Sequence, residues 1–323
     1  MIQRDRATWI YLTMHRIRCF EEKVAALFEA NQLRGSVHLY IGQEAVAATV
    51  CSSLTDEDAI TSTHRGHGHC IAKGARLDYA MAELMGKATG YCKGRSGSMH
   101  IADFSRGNLG ANAIVGAGIP IAVGAGLAAK LRGQDRVAVS FFGDGASNEG
   151  IFHEALNLAS LWKVPVIFVC ENNGYGISVP TWQSTSVRDI SVRAQAYDMP
   201  GVTVDGNDVE AIDDAFRAAL ARARAGEGPT LLECKTYRWM GHWAGDPQVY
   251  RTREEVDAWK EKCPIKRYRE KLLQQGFTPA ELDRMAGEAL AEAEAAVEFA
   301  RISPLPDEEQ VLDDVYYEEA ANE

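Results

Sequence analysis

Residues 137–150, VAVSFFGDGASNEG, begin as a near-continuous apolar run and stop at Gly143-Asp144-Gly145. The following NEGIFHEALNLASLW at 148–162 repeats apolar residues at helical spacing, which predicts strand, loop and then a helix starting near Ser147. A second apolar run, VPVIFVC at 164–170, ends in ENNGYG, and a third, PTLLECKTYR, occupies 229–238. Strands without polar alternation, separated by helices, predict an α/β protein whose parallel sheet is flanked by helices on both faces. Ligands of such sheets bind beyond the carboxyl ends of the strands. That is where Gly-Asp-Gly and Asn-Asn fall.

On the N-terminal side, residues 7–31 place Leu12, Ile17, Phe20, Val24, Leu27 and Phe28 at helical spacing and predict one long helix. Between residues 35 and 126 the chain is Gly-rich and irregular, the composition of loops that let backbone approach a ligand. Residues 251–302 are charged, Ala-rich and helical in period. The expected organisation is a helical segment at 1–34, an α/β domain at 35–250, and C-terminal helices with an acidic tail at 251–323, packed on the same domain. The tail after Pro304 reads as a solvated or partner-facing extension.

The 323 residues are 46% hydrophobic and 24% charged, ordinary for a soluble globular chain. Net charge is −11, but residues 305–323 hold eight acids and no base, leaving about −3 on the rest. No electrostatic footprint for nucleic acid or an anionic membrane surface exists in that balance. Seven cysteines, an odd number without a CxxC pair, suit a reducing compartment and read as small buried residues. MIQRDRATWI lacks the layout of a signal peptide, and no apolar run approaches a membrane span. A cytoplasmic protein is expected.

Asp144 closes one strand, and Asn173, 29 positions later, closes the next. In a parallel sheet both side chains reach the same edge. A carboxylate, an amide oxygen and a loop carbonyl suit Mg²⁺, which takes few protein oxygens and completes its shell with phosphates and water. Gly143 and Gly145 leave room for a diphosphate beside helix N-terminal amides. Gly-Asp-Gly alone is a weak signal, better explained as a plain strand-to-turn; its pairing with Asn172-Asn173 carries the reading.

The pair GDGASNEG…ENNGYG resembles the thiamine-diphosphate binding motif. Its neighbours resemble one branch, the α subunits of 2-oxoacid and acetoin dehydrogenase complexes: HLYIGQEA (38–45), THRGHGH (63–69), GSMHIAD (97–103), GAGIPIAVGAG (116–126) and YRWMGHWAGDP (237–247). The resemblance covers roughly residues 10–300. It implies a thiamine-diphosphate-binding fold with Asp144, Asn173 and the Tyr175 carbonyl on Mg²⁺. It also implies Gly145, Ala146 and Arg65 on the diphosphate, Ala113 and Val115 beside the cofactor rings, and His38, His64 and His242 as catalytic groups around substrate. Members acting on 2-oxoacids generally have Tyr-Arg where this chain has His64-Arg65, and the His form resembles the acetoin branch. The implied reaction cleaves acetoin and passes a two-carbon unit to the lipoyl group of a dihydrolipoyl acetyltransferase. Pyruvate or a branched-chain 2-oxoacid is the alternative substrate, and a non-catalytic binding subunit the alternative of another class. A β subunit completes an α₂β₂ heterotetramer in this family and supplies the glutamate that activates the cofactor, for which this sequence offers no candidate. Trp243 stands where mitochondrial pyruvate relatives carry a phosphorylatable Ser, so kinase control there is not expected.

His64, His67, His69 and Cys70 could in principle ligate zinc, but no second paired ligand set lies nearby. His67 and His69 stay open between site and structure, whereas His100 and His153 read as structural. GAGIPIAVGAG lacks the strand, GxGxxG spacing and acidic residue of a dinucleotide site, and reads as close helix packing against a cofactor or subunit.

Overall fold

The computed structural model of the chain describes residues 2–315. Elements are numbered in chain order. The strands β1 (Ala59–Thr61), β2 (Ala138–Gly143), β3 (Val166–Asn172), β6 (Gly201–Asp205) and β7 (Thr230–Lys235) form one sheet in the order β1-β2-β3-β7-β6. Every neighbouring pair is parallel. β4 (Tyr175–Gly176) and β5 (Val179–Pro180) make a small antiparallel pair just beyond β3.

The helices are α1 (Arg4–Glu29), α2 (Glu44–Cys51), α3 (His67–Ala72), α4 (Leu77–Leu84), α5 (Gly118–Leu131), α6 (Gly150–Leu161) and α7 (Thr181–Ser184). After them come α8 (Val209–Arg224), α9 (Arg253–Lys260), α10 (Pro264–Gln274) and α11 (Pro279–Ile302). Side chains alternate across a strand, so β2 sends Val139 and Phe141 to one face and Ala138 and Phe142 to the other. The first pair, with Ile167, Val169 and Leu232, packs under α2 and α8 and on towards α1, α4 and α11. The second, with Val166, Phe168 and Leu231, packs under α5 and α6. Both faces are therefore covered, as the apolar strands require. Burial of each such Val, Leu, Ile or Phe side chain contributes about 1.5–3 kcal/mol.

Two strands of the five-stranded sheet lay beyond the sequence pattern. β1 is three residues long in a Gly-rich region, and β6 is an exposed edge with no apolar run. The loop after β2 also differs from expectation. Asp144–Asn148 form a 3₁₀ turn, tightened by Ser147 Oγ donating to the Asp144 carbonyl at 2.7 Å, and Glu149 is extended, so α6 begins only at Gly150. Six of the seven cysteines are buried and all are free. No described helix is long and apolar enough to cross a membrane.

A buried carboxylate organises the Gly-rich segment after α4. Glu83 accepts from the amides of Cys92, Gly94, Ser96 and Gly97 and from Ser96 Oγ, at 2.7–3.0 Å. Gly94 (φ 75°) and Gly97 (φ 62°) take the left-handed backbone that lets these amides converge. Glu83→Ala leaves those donors without an acceptor in a closed site and is expected to cost about 3 kcal/mol or more. A lowered urea midpoint with unchanged slope would report it.

The same segment receives the start of the acidic tail. Arg95 donates to the Gln310 and Asp313 carbonyls, both at 2.7 Å, and Lys93 pairs with Asp314 at 2.6 Å. Up to residue 315 the tail is thus tied to a basic loop rather than simply solvated; residues 316–323 lie outside the described part.

Candidate active site

The strand order sets the carboxyl ends of β1, β2, β3 and β7 side by side, and a cavity of about 260 Å³ opens there. His64 and Arg65 follow β1, Asp144 to Ala146 follow β2, Asn173 and Tyr175 follow β3, and Arg238 and His242 follow β7; all line it. Of the expected site residues, Val115 lines the wall, whereas Ala113 does not, although Asn112 and Ile114 on either side do. His38 stands behind the wall in edge contact with His64 and His242.

Asp144 is 2% exposed, and its carboxylate is held by hydrogen bonds, with no ion-pair partner among the described residues. Thr181 Oγ1 donates to it at 3.0 Å and also reaches Asn172 Oδ1 at 3.3 Å, joining the β2 and β3 ends. Burial raises the Asp144 carboxyl above its usual range, against the pull of the Thr181 hydroxyl. A buried carboxylate held by hydrogen bonds but by no ion pair suits a cation. Asn173 donates its Nδ2 to Gln43 Oε1 at 3.2 Å, which turns the amide oxygen back towards the Tyr175 amide. The Tyr175 carbonyl accepts from Arg238 Nη1 at 3.1 Å, leaving its second lone pair for a metal. A Cβ placed on Gly143 would meet nothing within 4 Å, so the turn is open where a diphosphate needs space.

Arg65 also holds the protein's own backbone. It is buried, and its two terminal nitrogens donate to the carbonyls of Leu39 at 2.7 Å and His242 at 2.5 Å. It thereby ties three loops together while adding positive potential to the wall. Burial, and then Arg238, lower its pKa to about 9, which keeps it charged at neutral pH. Arg238, unremarked in the sequence, is the second buried cation. It holds the carbonyls of Tyr175 and Ile177 and the Tyr250 hydroxyl. Its place at the end of an apolar strand, inside YRWMGHWAGDP, was the available signal.

His38, His64 and His242 form a triangle with ring centroids 4.8, 5.0 and 5.4 Å apart. Burial and then Arg65 push His38 down to about 3 and His242 down to about 4, and lower His64 in the same way. All three are neutral imidazoles at neutral pH. Asp246 fixes the loop that carries His242, accepting from its backbone amide at 2.6 Å and from Tyr250.

The zinc reading of the THRGHGH segment is not supported by the geometry. His67 lies between Glu21 (3.1 Å) and Ser98 (2.9 Å), and His69 between Ser62 (2.7 Å) and Glu171 (3.1 Å). Each ring faces a different partner set away from His64. His153 bonds the Tyr197 hydroxyl, and His100 is exposed. Two glutamates absent from the sequence reading do line the cavity. Glu171 is occupied by Tyr40 and His69, and Glu149 is exposed at the mouth. The mouth itself is apolar and open, with Ile114 72% and Ile177 62% exposed beside Val115.

The profile of the family described as dehydrogenase E1 component matches residues 12–309. The chain belongs to this family. Among its relatives, the acetoin:2,6-dichlorophenolindophenol oxidoreductase α subunit of Bacillus subtilis (strain 168) is 51% identical over 98% of this chain and 95% of that protein. The α subunit of the same name from Cupriavidus necator is 46% identical with the same coverage. The chloroplastic pyruvate dehydrogenase E1 component subunit alpha-3 of Oryza sativa subsp. japonica is 41% identical over 98% of this chain and 76% of that protein. The cofactor of dehydrogenase E1 components is thiamine diphosphate, and this cavity fits it. It offers an unpaired carboxylate for a bridging cation, an open glycine turn for the diphosphate and two buried guanidinium groups.

Proposed function

We propose that the chain is the α subunit of a thiamine-diphosphate-dependent acetoin dehydrogenase. Acetoin is cleaved at the α–β interface, and the two-carbon unit passes to the lipoyl group of a dihydrolipoyl acetyltransferase partner in the cytoplasm. The observation that carries the substrate is the triangle of neutral imidazoles. The terminal nitrogens of Arg65 and Arg238 serve carbonyls, so the substrate end suits an uncharged hydroxyketone better than a 2-oxoacid carboxylate. The names of the Bacillus and Cupriavidus relatives agree with that reading. Pyruvate is the second reading, favoured by the plant relative. A purely binding subunit would have no use for a buried Asp144 beside Asn173.

When bound, thiamine diphosphate supplies the carbanion-stabilising chemistry that lets the carbon–carbon bond break. Asp144, the Asn173 amide oxygen and the Tyr175 carbonyl would hold Mg²⁺, a ligand set of oxygens suited to a hard cation. Gly145, Ala146 and the charge of Arg65 would face the diphosphate, with Val115 and neighbouring Ala113 beside the rings. His242, His64 and His38, held neutral, can accept a proton from a substrate hydroxyl or share one along the triangle. Trp243, packed on Phe28, offers no hydroxyl for phosphorylation.

A β subunit would cover the apolar rim of Ile114, Val115 and Ile177 and supply the acid that this chain leaves unassigned, in an α₂β₂ assembly. Dye reduction with acetoin, thiamine diphosphate and Mg²⁺ is therefore expected only when the chain is co-purified with its β partner. Turnover by the isolated chain would overturn the shared-site reading.

A further inference from the structure

The imidazoles of His38, His64 and His242 come from three separate loops, and one ring nitrogen of each lies within 4.8 Å of the other two. Nδ1 of His38 and Nδ1 of His242 are buried without a hydrogen-bond partner, and His38 is 6% exposed. A buried ring nitrogen left unpaired is costly. Two of them beside a third imidazole make a donor set without its acceptor.

We propose that these three imidazoles form a nitrogen-only metal site for a borderline-soft divalent cation of the Zn²⁺ class, separate from the oxygen ligands around Asp144. Donor chemistry divides the two positions. Imidazole suits Zn²⁺, Ni²⁺ and Cu²⁺, whereas carboxylate and carbonyl oxygens suit Mg²⁺. Three histidines and a water give an open four-coordinate arrangement. Metal–nitrogen bonds of about 2.0–2.1 Å bring such nitrogens to about 3.3 Å from one another, so the rings must swing inward from their present spacing. Nδ1 of His38 and Nδ1 of His242 have no hydrogen bond to lose in that movement. Arg65 and Arg238 oppose a second cation, whereas Asp246, hydrogen-bonded to the His242 amide, favours positive charge on that ring. The site is therefore an exchangeable one. Because His64 and His242 line the cavity, an ion on them occupies the substrate end and inhibits. That second consequence rests on the proposed function; the binding itself does not.

The test titrates the full chain with Co²⁺, read by its d–d absorption, and with Zn²⁺ by equilibrium dialysis in millimolar Mg²⁺. One ion per chain with the spectrum of four-coordinate nitrogen ligation is expected. His64→Gln and His38→Gln should each weaken Zn²⁺ by at least about tenfold, while His153→Gln and Cys92→Ser leave it unchanged. His64→Gln removes a ring that lines the open cavity, so it keeps the test decisive if His38→Gln fails to fold. Binding that survives His64→Gln, an octahedral Co²⁺ spectrum, or competition by Mg²⁺ would overturn the site. Zn²⁺ should also inhibit the α–β complex competitively with acetoin. Loss of acetoin activity in every preparation, with one Zn²⁺ still bound by the triangle, would count against the substrate and not against the metal site.

Discussion

Asp144→Ala abolishes Mg²⁺-dependent thiamine diphosphate binding, and the activity of the α–β complex falls below about one thousandth of wild type. The size of the effect follows from the ligand set. Asp144 is the single carboxylate in it, beside an amide oxygen and a carbonyl already shared with Arg238. Removing it leaves the cation with neutral donors only, and the diphosphate then faces the wall without its counter-charge. The cofactor-free variant is expected to melt no lower than wild type, because the substitution removes a buried charge that forms no ion pair. Titration of cofactor fluorescence quenching with and without Mg²⁺, alongside a thermal melt, separates lost binding from lost folding. A variant that still binds cofactor in a Mg²⁺-dependent manner would remove Asp144 from the metal.

His242→Ala is the second large effect. Turnover should fall by about 10²–10⁴-fold, the usual range for a positioned acid–base group, while thiamine diphosphate affinity changes by less than about tenfold. The reason lies in the division of labour on that loop. The His242 backbone carbonyl holds Arg65 at 2.5 Å and its amide is held by Asp246, so the loop keeps its shape when the ring is cut back. The ring carries the free Nδ1 and touches His38. Steady-state kinetics with acetoin, paired with cofactor titration, measures both terms. Unchanged turnover would show that the ring does no chemistry.

Much of this was legible in the chain because burial on both sides of a strand writes itself as an unbroken apolar run. β2, β3 and β7 were readable for that reason, and with them the positions of Asp144 and Asn173 at adjacent strand ends. β1 and β6 were not, since a three-residue strand and an exposed edge leave no such run. The site was less legible than the sheet. That Arg65 serves the Leu39 and His242 carbonyls is a fact about three loops converging, which no local pattern records. Glu171 and Arg238 were hidden in quoted motifs because a polar residue at a strand end reads the same whether it faces a cavity or water. The separation of His64 from His67 and His69 followed only from α3, which turns the last two towards Glu21 and Glu171.

The claim that the imidazole triangle marks an uncharged hydroxyketone site is tested most directly by offering substrates side by side. The α–β complex, with thiamine diphosphate and Mg²⁺, would receive acetoin, pyruvate and branched-chain 2-oxoacids, and kcat/KM for dye or lipoamide reduction would be compared. The highest kcat/KM is expected with acetoin, and that preference should be lost in His64→Tyr. A higher kcat/KM with pyruvate would contradict it, leaving the family and fold in place but removing His64 as the residue that reports the substrate.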